Sequence, residues 1–409
     1  MSGNMSLFKS VLSLGTVNVL GLLINIVCMP IILTSLGNSV YGIYVYLFIQ
    51  CQLLSLVVTF GFDIFAVTEV KGNIKLANRL IFPITIIRIT LYLISAIVVY
   101  FFVLYNMNDV DIKLLILFII SMFPTCFNFS WYFQSIEKME FIAFSNLAGK
   151  LLYLMFVLLP IDKDITYFVI IFLASNYVTA IIYMYIVFIK MNVRVSFHAI
   201  GVKAIFRKSF SLFSYQLLVG VIPSVNSSLA NGFGGKGLIT SFDIFNKVSS
   251  VVNVFTGVIV QALYPKIVKR NSLNDALGIV VGYISSMFIF ISSLCFLFWS
   301  LSAHIDSLLY NFLGFHIDGG AKLIIISLIF SFFCSVNSML SRVLIFSNNI
   351  KIVNFSTFLA LISAITLTPL LLNFEPFYGL FFGMMLSQIV MSVFFIVVLV
   401  FKIRSVQLV

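Results

Sequence analysis

The sequence predicts an all-α polytopic membrane protein with about 12 transmembrane helices, because its apolar runs repeatedly reach the ~20 residues that a bilayer core requires. Three observations carry that expectation. Of 409 residues, 62% are hydrophobic and only 9% charged, and the mean hydropathy is +1.17, a balance that no soluble domain with a polar surface reaches. The polar intervals between the runs are short and leave no stretch for a soluble domain. The longest of them, 190–209, is basic and divides the runs six and six.

The runs lie at about 11–33, 42–66, 81–105, 113–134, 142–160, 165–189, 210–231, 239–264, 276–303, 321–346, 353–372 and 378–401. The first is too long, and too interrupted by Asn18, Asn25 and Pro30, to be a cleaved leader, so it is expected to stay as a helix. With the N-terminus in the cytoplasm, the inside turns hold most of the basic residues, among them Lys71, Lys75, Arg79, Lys138, Lys190, Lys266 and Lys351. The outside turns hold only Lys113, Lys163, Lys236 and Lys322. The positive-inside rule then places both termini in the cytoplasm. The net charge of +11 is thereby read as topology, and no nucleic-acid partner is expected.

The central segment 190–209 carries Phe197, Ile200, Ala204 and Ile205 at near-helical spacing among its basic residues. It reads as a linker, expected to lie as an interfacial helix on the anionic inner leaflet. The predicted organisation is an N-terminal six-helix lobe at 1–189 and a C-terminal six-helix lobe at 210–409. Weak internal similarity supports two halves: Leu36-Gly37 and Tyr41-Gly42 between the first two runs are echoed by the glycine-rich Gly232 to Gly237 between the seventh and eighth. Cys28, Cys51, Cys126, Cys295 and Cys334 show no C-x-x-C spacing and read as small core residues. His304-Ile305-Asp306 and His316-Ile317-Asp318 read as chance in a polar loop, so no metal or cofactor is expected.

The most distinctive stretch is Trp131-Tyr132-Phe133-Gln134-Ser135-Ile136-Glu137-Lys138-Met139, followed by Ile142-Ala143 and by Asn146 to Lys150. It joins one apolar run to the next, and it resembles the Wzx-type O-antigen flippases, in the polysaccharide transporter branch of the MOP exporter superfamily. A second stretch of similarity runs from Phe213-Ser214-Tyr215-Gln216 through Lys247 to Gln261-Ala262-Leu263-Tyr264-Pro265-Lys266. Asp243-Ile244-Phe245-Asn246 departs from the small, alanine-rich run usual before that lysine. The resemblance implies two pseudo-symmetric lobes around a central cavity. It further implies translocation of an undecaprenyl-diphosphate-linked oligosaccharide across a bacterial cytoplasmic (inner) membrane by alternating access. Membrane lipids, a polysaccharide polymerase and a chain-length regulator are the implied partners.

Charged residues inside spans are the sharper clue, since each costs ~2.5–3.5 kcal/mol at a helix centre. Arg88, Lys150, Lys247 and Arg342 are of this kind, and together they are expected to form a cationic ladder for a diphosphate. Each also has a structural reading. Arg88 can pair with Asp63, Lys247 with Asp243 at i,i+4, and Arg342 can snorkel. Asp63 is otherwise a candidate for proton coupling.

Polar stripes are expected to line the cavity: Asn18 and Asn25 in the first run, Gln52 in the second, and Gln216, Ser224, Ser227 and Asn231 in the seventh. Close helix packing through small residues is the alternative. Trp131 and Tyr132 are expected to anchor at the interface, and Glu137 with Lys138 to gate the cytoplasmic mouth.

No nucleophile, base or metal constellation is visible, so an enzyme is not expected. The competing functions are a multidrug exporter of the same superfamily, for which an acidic cavity is expected, and a polymerase or glycosyltransferase of the same pathway. For the last, carboxylates in the first outer loop would be needed, and Thr34 to Tyr41 contains none.

Overall fold

A computed structural model of the chain describes residues 2–70, 73–107, 111–136, 138–161, 163–193, 202–268, 273–313, 320–346 and 349–407. All the regular structure among them is helical. Ten stretches are long and apolar enough to cross a membrane. Two of these, Val19–Thr59 within α1 (Ser2–Thr59) and Phe213–Val260 within α8 (Val202–Val268), are each broken into two arms by one glycine. With those two doubled, the ten stretches supply the twelve passes expected.

The two breaks use the same backbone device. Gly37 has φ 72 and ψ 163, and Gly235 has φ 65 and ψ −162, a region essentially closed to any residue with a Cβ. They fall in the two segments whose sequences echo one another.

The chain separates into two units, Met1–Gly220 and Val221–Val409. The division lies inside α8. Phe60 explains the assignment of the first arm of α8: its ring is stacked on Phe206 at 4.3 Å and on Phe213 at 4.1 Å. Gly220 meets Leu56 so closely that a Cβ there would overlap the leucine side chain. The segment 190–209, expected as an interfacial helix, is described only at its two ends. Met191 to Val193 is not helical, and from Val202 the chain is already the beginning of α8, with Ile205 buried beside Phe60 and Trp131. Phe197 and Ile200 lie outside the described residues.

In the first unit, the fourth pass departs from a straight helix. It runs as α4 (Ile112–Met122), a 3-10 turn over Phe123–Phe127, and α5 (Ser130–Ser135). Pro124 at the head of the turn lacks the N–H that an α-helix needs. α5 is then buried: Trp131, Tyr132 and Phe133 are each 0% exposed. The expectation that Trp131 and Tyr132 anchor at the interface is therefore overturned. Tyr132 donates to Asn78 Oδ1 at 2.9 Å from α3 (Ile74–Asn106), and Phe133 stacks on Tyr183.

A broken helix in a membrane leaves carbonyls that water cannot satisfy. Here Arg88 of α3 answers one of them. Its Nη1 donates to the Asn128 carbonyl at 2.6 Å, and its Nη2 to Asp63 Oδ1 at 2.8 Å, while its side chain is 1% exposed and that of Asp63 31%. Asp63 sits in the first turn of α2 (Phe62–Val70), directly after the positive-φ pair Phe60 and Gly61. One guanidinium thus ties three interrupted or neighbouring elements together.

The unit continues with α6 (Met139–Val157) and α7 (Ile165–Met184), which ends in a π-helical turn over Tyr185–Lys190. Polar side chains close several helix ends: Asn73 accepts from Leu76 N, Asp111 from Lys113 N and Asp164 from Tyr167 N.

The second unit comprises the rest of α8 with α9 (Leu273–Ser300), α10 (Ser302–Leu313), α11 (Gly320–Phe346), α12 (Ile350–Phe374) and α13 (Pro376–Gln407). Gly379 and Gly383, four residues apart, let α13 approach α12. A Cβ at either would overlap Leu371 backbone or the Thr368 side chain. Asn337 of α11 donates to Gln388 Oε1 at 3.0 Å and accepts from Ser392 at 2.8 Å. Asp306 caps α11 by accepting from Ala321 N at 2.8 Å.

Two stability predictions follow from this architecture. Gly37→Ala should lower the melting midpoint of the detergent-purified protein by the equivalent of ~1–3 kcal/mol, whereas Gly232→Ala, with open space at its Cβ, should leave it unchanged. Asp63→Asn removes the countercharge of a buried guanidinium, which keeps only the Asn128 carbonyl, and should cost ~3–5 kcal/mol. Adding Arg88→Met should recover part of that loss, and additive losses in the double variant would contradict the pairing.

Candidate functional site

The four in-span cations have different fates. Arg88 is held by Asp63 and the Asn128 carbonyl, as above. Lys247 donates to Asp243 at 2.6 Å, one turn away on α8. Arg342 of α11 is half-buried and lies near the Tyr283 hydroxyl, itself 2.5 Å from Ser335 Oγ.

Lys150 differs. It is half-buried in the middle of α6, and among the described residues it has no hydrogen-bond or ion-pair partner. Glycines set its surroundings on both sides. Gly149 lets α7 come so near that a Cβ there would overlap Thr179 Oγ1. Gly21 of α1 lies under the lysine, where a Cβ would overlap the Lys150 ammonium. A stem that long, laid against a bare stretch of backbone, keeps its charge inside the helical bundle instead of at a helix end.

The polar stripes divide as well. Asn25 is exposed and Gln52 half-buried. Gln216 is half-buried, yet its Oε1 is covered and has no partner. Ser224 and Ser227 are buried, Ser227 donating to the Ser224 carbonyl at 2.9 Å, and Asn231 is half-buried. Glu137 lies outside the described residues, as does the side chain of Asn18. Lys138 is half-buried with its ammonium 6.0 Å from the Phe141 ring centroid.

Sequence reading missed Asn226, which is 0% exposed with neither amide atom hydrogen-bonded among the described residues. It sits off the Gln216 to Asn231 stripe, about 200° around the helix from Ser224. An amide on the wrong face of a membrane helix was the signal that could have found it. Lys190 and the Asn128 carbonyl were missed too, because both are placed by helix irregularities. Among the described residues no group of three His, Cys, Asp or Glu side chains could hold a metal.

What can this arrangement do? Among the described residues it offers Lys150, a cation without a countercharge, and unanswered amide groups at Gln216 and Asn226, all inside membrane-spanning helices. Chemically, an ammonium of this kind suits an anion, and an unanswered amide suits a hydroxyl group.

Comparison with solved structures gives the fold a context. An inward-facing multidrug resistance MATE family transporter of the MOP superfamily superposes with a TM-score of 0.72 at 13% identity, covering 95% of each chain. An outward-facing MATE family transporter gives 0.61 at 12% identity, over 98% of this chain and 96% of that one. A Pyrococcus furiosus MOP superfamily transporter, described as having a binding pocket of reverse polarity, gives 0.60 at 14% identity, over 98% and 96%. No curated protein sequence matches. The family model described as polysaccharide biosynthesis protein matches residues 7–270. The chain is a multi-pass membrane protein with the fold of MOP superfamily transporters, and it belongs to the polysaccharide biosynthesis protein family.

Proposed function

We propose that the protein is a flippase. It moves undecaprenyl-diphosphate-linked repeat units of O-antigen, or of a related surface polysaccharide, from the inner to the outer leaflet of a bacterial cytoplasmic membrane. The observation that carries the reading is Lys150, the in-span cation that no described residue neutralises. A diphosphate entering partly dehydrated surroundings needs a fixed positive charge to offset its lost hydration. A structural lysine would have an acid beside it, as Lys247 has.

Family membership supports a polysaccharide-related cargo, and the fold supports transport by alternating access. Gln216 and Gln52 are the amide groups proposed to meet sugar hydroxyls. Arg88, Lys247 and Arg342 are secondary rungs, reached by the cargo only if their present contacts open, and Asp63 then becomes free to take up a proton. Asp243 has the same part beside Lys247. Both termini are proposed to be cytoplasmic, with a polymerase and a chain-length regulator acting on the delivered units. The lobes are proposed at 1–189 and 210–409, joined by 190–209.

The test is the leaflet distribution of lipid-linked oligosaccharide in cells that carry or lack the gene, scored beside surface glycan. Loss should remove surface glycan and leave complete units on the cytoplasmic face. Lys150→Ala should reproduce that loss by at least tenfold at normal expression and an unchanged melting midpoint, and Lys150→Arg should restore most of it. Single units that reach the outer face unassembled would make the protein a polymerase. Intact surface glycan with lost resistance to cationic drugs would make it a multidrug exporter.

A further inference from the structure

We propose that Lys138, Phe141 and Lys190 form a binding site for a lipid-borne phosphate at one membrane face of the first unit. The starting point is the end of α7. Its last turn, Tyr185–Lys190, is π-helical. Met191 N then donates back to the Ile186 carbonyl at 2.9 Å and Val193 N to the Val187 carbonyl at 3.3 Å, with Asn192 at φ 51. Such widened turns are rare and concentrate at functional positions. Here the wider turn rotates Lys190 out of the ordinary helical register and brings its ammonium to 4.9 Å from the Phe141 ring centroid.

Lys138 reaches the same ring from the turn between α5 and α6. Its backbone N–H donates to the Phe133 carbonyl at 2.9 Å, which fixes where the side chain starts. The ring between them is anchored: Phe141 lies 5.4 Å from Phe133, which in turn stacks on Tyr183. All three residues stand at one membrane face, because Ile112–Ser135 ends there, Met139–Val157 begins there, and Ile165–Lys190 returns to it.

Charge makes this more than a packing arrangement. The two ammonium groups share one ring and are at most ~11 Å apart, about one Debye length at 0.1 M salt, so they repel. Neither has a hydrogen-bond or ion-pair partner among the described residues, and Glu140, exposed two residues from Lys138, pairs with neither. The negative face of the ring offsets the repulsion only in part. An anion between the lysines removes it. The depth, at the ends of apolar helices, is that of lipid phosphates, and lysine ammonium groups donate to phosphate oxygens from any direction. A phospholipid headgroup and a polyprenyl diphosphate share this chemistry. The site rests on geometry alone and does not require the cargo proposed above.

The test is binding of defined lipids to the detergent-purified full-length protein, read by native mass spectrometry. The probes are phosphatidylglycerol, undecaprenyl diphosphate and, for comparison, zwitterionic phosphatidylcholine. Lys138→Gln and Lys190→Gln should each weaken anionic-lipid binding about fivefold, and the double variant about twentyfold. Phe141→Leu should weaken it two- to threefold, and Lys75→Gln, an exposed lysine elsewhere in the same unit, less than twofold. Lys138→Arg with Lys190→Arg should retain binding, which separates charge from folding. Loss confined to undecaprenyl diphosphate would make the site an entry point for cargo, and loss confined to phosphatidylglycerol a resident-lipid site. Either supports the proposal. Unchanged binding in the double Gln variant, or an equal loss in Lys75→Gln, overturns it. Lys150→Gln binding normally here while failing in export would separate this site from the transport reading.

Discussion

A chain in hydrocarbon has no water to answer a stray polar group, and the first unit depends on how Arg88 meets that constraint. The pass that breaks at Phe123–Phe127 exposes the Asn128 carbonyl, and the turn at Phe60 and Gly61 starts a new helix whose first turn needs an acid. One guanidinium, itself too costly to bury alone, serves both. It donates to the carbonyl and to Asp63, and Asp63 in turn stands where a carboxylate favours a helix N-terminus. Remove the break and Arg88 has no reason to be buried. Remove Arg88 and the break has no way to persist.

The same constraint alters how polar stripes should be read. Serines throughout the chain return their hydroxyls to carbonyls of their own helix. Ser95 bonds Leu91, Ser121 bonds Phe118, Ser145 bonds Phe141 and Ser327 bonds Ile324. A serine in this state presents little polarity to anything else, and it packs as a small residue. Ser227 belongs to that set. Amides cannot hide in this way, since an Asn or Gln side chain carries donors and an acceptor that one backbone carbonyl does not exhaust. Asn337 meets the demand through Gln388 and Ser392. Gln216 Oε1 and Asn226 do not, and these amides mark places where the interior has spare hydrogen-bonding capacity.

Legibility in the sequence followed the strength of each signal. The passes were readable because hydropathy is a sum over ~20 residues, and the glycine breaks because positive φ selects one residue type. Asp243 with Lys247, and Asp63 with Arg88, were readable as pairs because an acid near a base inside a span has few other uses. The burial of Trp131 was not readable. A membrane helix is apolar toward lipid and toward protein alike, so periodicity does not tell core from surface, and an aromatic near a span end looks like an anchor. The start of α8 at Val202 was hidden for a related reason, since its basic residues resemble an interfacial segment while Phe206 and Phe213 clasp Phe60. The π-helical end of α7 has no sequence signature at all.

The contrast between Lys247 and Lys150 sharpens what an in-span charge means. Both are lysines in the middle of apolar helices, and an insertion cost of the same size attaches to each. At Lys247 the carboxylate one turn earlier returns most of that cost within the same helix, so the residue needs nothing from outside. At Lys150 the neighbouring residues are glycines, which offer space and backbone but no countercharge. Space is what an ammonium requires when its partner arrives from elsewhere. A protein that kept this lysine only for stability would gain by replacing it with leucine, since nothing described here would be left unpaired by the change. Under the function proposed above, that cost is recovered in the complex with an anionic cargo.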